Sequence, residues 1–207
     1  MQASNLHLML DLPSPPDATL IARIVSGDRD AFALLYRRYR PDVYRFVAHI
    51  CGSPALAEDV VQDVFVAVIE AASRYRPVGP SVLPWLLGIA RNHVRRWRCQ
   101  RVLAPLPDDE TQVGQRLAIE IDPVVELTRQ RHAAALSRAL LDLPLPYREI
   151  IVLCDLQELS YEDAAIAIGR AVGTVRSRLH RGRALLARRL CDVKDEVICR
   201  LPAAKTS

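Results

Sequence analysis

The strongest chemical bias in the chain lies near its end. Between Arg170 and Arg189 stand seven arginines and no acid. An ordinary surface helix interleaves both signs, because like charges three or four residues apart repel. A run of one sign suits a polyanion, and the planar arginine fork suits phosphates and guanine edges in the DNA major groove. Wound at about 100° per residue, Val175, Leu179, Gly182, Leu186 and Leu190 share one helix face. Ser177, His180, Arg181, Ala184 and Arg188 share the opposite face, and Arg176, Arg178 and Arg183 flank the two. Duplex DNA fits this pattern; the alternative is a solvated basic face on a bundle helix.

A second basic run holds Arg91, Arg95, Arg96, Arg98 and Arg101, again without an acid. Trp85 and Trp97 bracket it, with Asn92 and His93 inside. Cations interleaved with aromatics suit single-stranded DNA, whose bases need stacking surfaces; the alternative places both tryptophans in the core. The segment before it has the opposite sign: Glu58, Asp59, Asp63 and Glu70, with no Lys or Arg between Pro54 and Arg74. That face is either solvated or a docking surface for a basic protein. No Ser/His/Asp order, metal-ligand cluster or phosphate-cradling glycine loop stands out. The expectation is a protein that is not an enzyme, with no catalytic residues, no cofactor and no metal.

The elements that position these residues read as helices throughout, giving an all-α fold. Asp17 can cap a short helix with Leu20, Ile21, Ile24 and Val25, stopped at Gly27. A second helix carries Phe32 to Tyr39 and reaches Pro41; a third carries Val43 to Ile50 and ends at Gly52. Ser53-Pro54 starts a helix to about Arg74, striped by Ala57, Val61, Val64 and Val68. Pro77 to Pro80 breaks the chain, and Pro84 opens a helix to about Arg101. Residues 102–123, with Pro105, Pro107, Asp108, Asp109, Glu110 and Gly114, read as a flexible linker between two small helical domains. Helices then span about Val124–Leu141, Pro146–Leu156, Ser160–Gly169 and Val172–Leu190. Ser160 and Asp163 form a capping box. Ala165, Gly169 and Val175 follow at the spacing of a helix-turn-helix: a small residue at the crossing, a glycine for the turn, an aliphatic plug.

The bulk numbers set bounds. The 207 residues carry a net charge of only +4, so clustering, not total charge, points to nucleic acid. The nearest approach to a membrane span, Val82–Ala90, contains Pro84 and Gly88 and falls far short of the ~20 residues required. With no secretory leader visible, the expected location is cytoplasmic. Cys51, Cys99, Cys154, Cys191 and Cys199 lack CxxC spacing and read as reduced thiols; Cys191 and Cys199, eight residues apart, are the pair for a redox or metal role.

Several blocks, in this order, carry a resemblance: Asp28-Arg29-Asp30-Ala31-Phe32 through Tyr39; Ala57-Glu58-Asp59-Val60-Val61-Gln62-Asp63-Val64-Phe65; Pro84-Trp85-Leu86-Leu87-Gly88-Ile89-Ala90-Arg91-Asn92; Leu143-Pro144 with Tyr147-Arg148-Glu149; Leu159-Ser160-Tyr161-Glu162-Asp163-Ala164-Ala165; and Val172-Gly173-Thr174-Val175-Arg176-Ser177-Arg178-Leu179-His180-Arg181. Together they resemble the extracytoplasmic-function (ECF) subfamily of the sigma-70 family of bacterial RNA polymerase sigma factors. The resemblance implies an N-terminal extension at 1–16, sigma region 2 at 17–101, the linker at 102–123, sigma region 4 at 124–191 and a tail at 192–207. It implies that Asp59, Gln62, Asp63 and Phe65 dock on the clamp helices of the polymerase's largest subunit, with a further contact to the flap of the second. The minus-ten element, read as single strand, falls to the loop Arg74–Pro84 with Trp85, Arg91, Asn92, Arg95, Arg96 and Arg98. The minus-thirty-five element, read as duplex, falls to Ser177, His180 and Arg181 at the bases and Arg176, Arg178 and Arg183 at phosphates. An anti-sigma factor is a further implied partner.

The sequence departs from the family pattern at three positions. Val82 stands where an aromatic is usual, Ala171 where a capping residue is common, and Gly182 where alanine is usual, the last at ~1 kcal/mol of helix propensity. Two readings compete. A stand-alone helix-turn-helix regulator leaves the first-half basic helix and acidic face unexplained. A nucleic-acid enzyme lacks carboxylates beside either basic helix.

Overall fold

The computed structural model describes residues 15–101 and 123–199, and side chains over most of that range. The linker with Asp108 to Glu110 lies outside the described residues. So do residues 1–14 of the N-terminal extension and 200–207 of the tail. The first half comprises α1 (Asp17–Val25), α2 (Arg29–Cys51), α3 (Pro54–Ala71) with a 3-10 turn at Ala72–Arg74, and α4 (Leu83–Arg101). The second comprises α5 (Pro123–Leu141), α6 (Leu145–Ile151) continuing into a π-helical turn at Val152–Leu156, α7 (Tyr161–Ile168) and α8 (Val172–Cys199). No strand occurs among the described residues.

Local chemistry sets the helix ends. Asp28 caps α2 by accepting the amides of Asp30 and Ala31 at 2.9 and 3.0 Å. The Ala31 bond, then the Arg23 guanidinium, holds the Asp28 carboxyl below the usual range. Gly52 closes α2 in the left-handed conformation at φ 75°, and Ser53 then caps α3 with Pro54 in its first turn.

Two helix bounds differ from the sequence reading. The segments on either side of Pro41 form one helix, α2, with the proline inside. Ala31, Leu35, Tyr39, Val43, Phe46, Val47 and Ile50 are buried at helical spacing across it. Pro41 and Arg37, four residues earlier, both lie on the exposed side, where water can take the carbonyl that loses its bond. At the other end of the chain, α8 runs on to Cys199, nine residues beyond Leu190.

The two halves pack together. Their buried apolar residues form one cluster. Arg148 of α6, 4% exposed, donates from Nη1 to the Ile50 carbonyl of α2 at 2.7 Å and from Nη2 to the carbonyls of Leu141 and Leu143. One guanidinium thus serves carbonyls near the C-terminal ends of two helices, one from each half. Burial, then the charge of Arg98, pushes the Arg148 pKa down to about 10. Gln157 donates to the Asp42 carbonyl at 2.7 Å. The helices α4 and α7 approach so closely that a Cβ at Gly88 would lie 3.2 Å from the Ala167 carbonyl oxygen.

Candidate nucleic-acid interface

The turn between α7 and α8 has the geometry its sequence predicts. Ser160 accepts the Asp163 amide at 3.0 Å and donates to the Asp163 carboxylate at 2.8 Å. Gly169 ends α7 at φ 61°, in the left-handed region that glycine tolerates. Ala164 and Ala165 are buried, and Val175 plugs the core with no exposure. Ser177, His180, Arg181, Ala184 and Arg188 are exposed, opposite the buried Val175, Leu179 and Gly182. The Arg176 guanidinium sits over the Tyr161 ring, 5.8 Å from its centroid, which steadies a long side chain. The Ser177 hydroxyl donates to the Thr174 carbonyl at 3.1 Å.

Arg178 is half-buried. Arg183 is exposed but already engaged: its Nε and Nη2 meet the Asp155 carboxylate at 3.0 and 2.5 Å. That bond raises the Arg183 pKa. Gly182 has a packing reason. A Cβ there would lie 3.1 Å from Ile151 Cδ1 and 3.4 Å from Tyr147 Cβ, so the glycine permits the close crossing of α8 over α6.

The first basic helix is divided. Asn92 and Arg96 of α4 are exposed, and Arg98 is half-buried. Arg91 and Arg95 converge on Glu149 of α6, which is 1% exposed. Arg91 Nε lies 2.9 Å from Oε2; Arg95 Nε lies 2.7 Å from Oε1 and its Nη2 2.8 Å from Oε2. The Glu149 bond raises the Arg95 pKa. Trp85 is half-buried, its ring 4.9 Å from that of Tyr75. Trp97 is half-buried as well, and Val82 is fully buried at the start of the helix.

On α3, Asp59, Gln62 and Asp63 are exposed in one row. Phe65 is not with them. It is 2% exposed, edge-on to Tyr36 at 4.7 Å and to Phe32 at 6.4 Å. Its place on the surface row belongs to Val66 and Ile69, which are 58% and 52% exposed. Their spacing from Gln62 and Asp63 is the signal that would have found them. Glu58 is taken up by Arg40, at 2.8 and 2.7 Å.

Residues 35–102 match the family model for sigma-70 region 2, and residues 133–186 that for sigma-70 region 4. The RNA polymerase sigma factor CarQ of Myxococcus xanthus is 34% identical over 84% of this chain and 98% of its own length. The ECF RNA polymerase sigma factor SigM of Mycobacterium tuberculosis (strain H37Rv) is 35% identical over 84% of each. The chain belongs to the ECF RNA polymerase sigma factors. Its fold is also similar to the sigma factor RpoE of Bartonella quintana, solved in complex with the anti-sigma factor NepR. That likeness has a TM-score of 0.60 at 26% identity, over 77% of this chain and 96% of the other.

The ECF sigma factor is therefore a transcription-initiation protein acting with RNA polymerase on promoter DNA, in a non-catalytic role. Its helix-turn-helix brings Arg176, Ser177, His180 and Arg181 onto one exposed face, and its acidic row lies on α3. Sequence reading missed Glu149, Asp155, Tyr161 and Tyr75, each of which holds a proposed DNA-binding side chain. None carries a local signal, because each acts on a partner in another helix. Among the described residues, no helix is long and apolar enough to cross a membrane.

Proposed function

We propose that the exposed face of α8 reads the minus-thirty-five element as duplex, with Ser177, His180 and Arg181 at the bases and Arg176 and Arg178 at phosphates. The loop 75–81 with Trp85, Asn92, Arg96 and Arg98 reads the minus-ten element as single strand. Asp59, Gln62, Asp63, Val66 and Ile69 dock on the clamp helices of the polymerase's largest subunit. No step of the chemistry falls to the chain's own residues; the polymerase supplies it, in the cytoplasm. The observation that carries this reading is the one-signed outward row of α8 behind a correctly built turn.

The minus-thirty-five and minus-ten elements lie roughly 25 base pairs apart, about 85 Å of duplex at ~3.4 Å per step. With α4 and α7 in contact, the two readers cannot reach both elements at once. The packed arrangement is thus a closed form, and promoter binding separates the halves at Glu149 and Arg148. A partner that favours the closed form, as an anti-sigma factor would, keeps Arg91 and Arg95 on Glu149 and off DNA.

Run-off transcription with bacterial core polymerase and a promoter pool tests the assignment. Discrete transcripts that require this chain, lost on Arg181→Ala and on Asp63→Lys, are the expected result. Transcripts that survive Arg181→Ala with unchanged promoter choice would remove α8 from the reading.

A further inference from the structure

One buried acid holds the approach to α4. Asp17 is 5% exposed at the first position of α1, where the sequence suggests a helix cap. It does not cap α1. Its Oδ2 accepts the Val82 amide at 2.8 Å and the phenol of Tyr39, and its Oδ1 accepts Arg38 Nη1. Val82 is fully buried, and its carbonyl takes the first bond of α4 from the Leu86 amide at 3.1 Å. The amide that Asp17 fixes therefore belongs to the residue from which α4 starts.

The same acid reaches the loop ahead of α4. The Tyr39 hydroxyl, which donates to Asp17, lies 3.4 Å from Ser81 Oγ, and Ser81 Oγ accepts the Leu83 amide at 3.1 Å. At the loop's other end the Tyr75 amide donates to Ala72 at 3.1 Å, and the Tyr75 ring packs on Trp85. Between these anchors, residues 76–81 are all exposed, Val78 to 71%. The loop is a solvent-facing tip on two fixed feet, and Asp17 builds one of them from 65 residues away. A carboxylate taken out of water is unfavourable unless its lone pairs are used. Here they go to α2 and to the entry of α4.

We infer that Asp17 is a positioning residue for reading the minus-ten element: it fixes the backbone at Val82 and, through Tyr39 and Ser81, the angle at which loop 75–81 meets an unstacked base. This rests on assigning that loop and Trp85 to the minus-ten element. Selection of a base requires contacts held to within about 0.5 Å. A loop with one foot released still binds single strand by charge and stacking, but discriminates less.

The test uses holoenzyme and two promoter libraries, one randomised at the minus-ten element and one at the minus-thirty-five element, with transcripts sequenced. Asp17→Asn keeps the shape but turns an amide N–H toward the donors of Tyr39 or Arg38. Tyr39→Phe and Ser81→Ala cut the relay with little change in volume. In all three the expected result is a drop of about tenfold in minus-ten base discrimination. Minus-thirty-five discrimination and affinity for core polymerase stay within about twofold of the parent. An unchanged minus-ten profile in Tyr39→Phe and Ser81→Ala overturns the inference. So does an equal loss at both elements in those two, since it would mark general unfolding. Trp85→Ala separates the underlying assignment: if it too leaves the minus-ten profile unchanged, the loop is not the reader. If it changes the profile while the other three do not, only the role of Asp17 fails.

Discussion

Arg95 of α4 and Glu149 of α6 form a two-point ion pair across 54 residues of chain, Nε to Oε1 at 2.7 Å and Nη2 to Oε2 at 2.8 Å. Arg91 completes the site on the second oxygen. Glu149→Gln keeps the volume but leaves two guanidiniums without an anion. Arg95 is 38% exposed, so water recovers part of the loss. The expected destabilisation is roughly 2 kcal/mol, below the ~3–5 kcal/mol of a fully buried broken pair. Urea unfolding measures it, and small-angle scattering should show a larger radius as the halves part. Gly88→Ala, whose Cβ would press on a backbone oxygen of α7, should open the halves without touching charge. An unchanged radius in both variants would mean that neither contact holds the closed form.

Docking on polymerase should depend on the α3 row and not on Phe65. Asp63→Lys and Val66→Asp alter exposed side chains, so melting should move by no more than about 0.5 kcal/mol. Affinity for core polymerase should fall at least about tenfold in each, as reversed or misplaced charge at an interface does. Competition binding against the parent protein reads this directly. Full affinity in both variants would move the docking surface elsewhere.

Gly182→Ala sets helix propensity against packing. Alanine gains ~1 kcal/mol in a helix interior. Its Cβ would meet Ile151 Cδ1 at 3.1 Å, and Ile151 is 2% exposed with little room to retreat. Overpacking of this kind costs about 1–3 kcal/mol, so the net effect should be a small loss. Removing the obstructing methyl reverses the sign: in an Ile151→Val background, Gly182→Ala should stabilise by up to ~1 kcal/mol. Denaturant unfolding of the four proteins in this cycle gives the answer. A stabilising Gly182→Ala in the parent would show that α6 yields freely.

Thiol labelling should rank the cysteines by environment. Burial, then the charge of Asp155, pushes the Cys154 pKa up to about 11, while Cys191 is exposed. At pH 8 roughly one Cys154 in a thousand is thiolate, the reactive form. Cys191 should label within minutes, and Cys154 only on unfolding or as pH climbs toward 11. Peptide mass mapping after timed alkylation separates them. Fast labelling of Cys154 at pH 7 in folded protein would contradict its packing.

Much of the helical order was legible because its signals are local. The capping serines, Gly52, Gly169 and the outward row of α8 all follow from residues within a few turns of one another. Pro41 misled for the same reason: a proline reads as a break until the rows on both sides are known to face one core. Phe65 enters the docking set only through the resemblance, whereas the 3.6-residue repeat turns it inward beside Val64. The pairing of Arg91 and Arg95 with Glu149 was not legible at all. The arginines and the acid each look like surface charge in their own helix, and only the packing of one half on the other reveals that they neutralise one another.

That neutralisation has a consequence for how the free protein meets the chromosome. Each cation that reaches a DNA phosphate releases a condensed counterion, and log affinity then falls with log salt at about −0.9 per contact. Arg91 and Arg95, held by Glu149, release none, so the closed form forgoes two contacts and their steep ionic-strength dependence. Non-specific DNA is thereby denied these two contacts and is left with exposed arginines such as those of α8. The two arginines gain their full electrostatic worth only after the halves separate at a promoter.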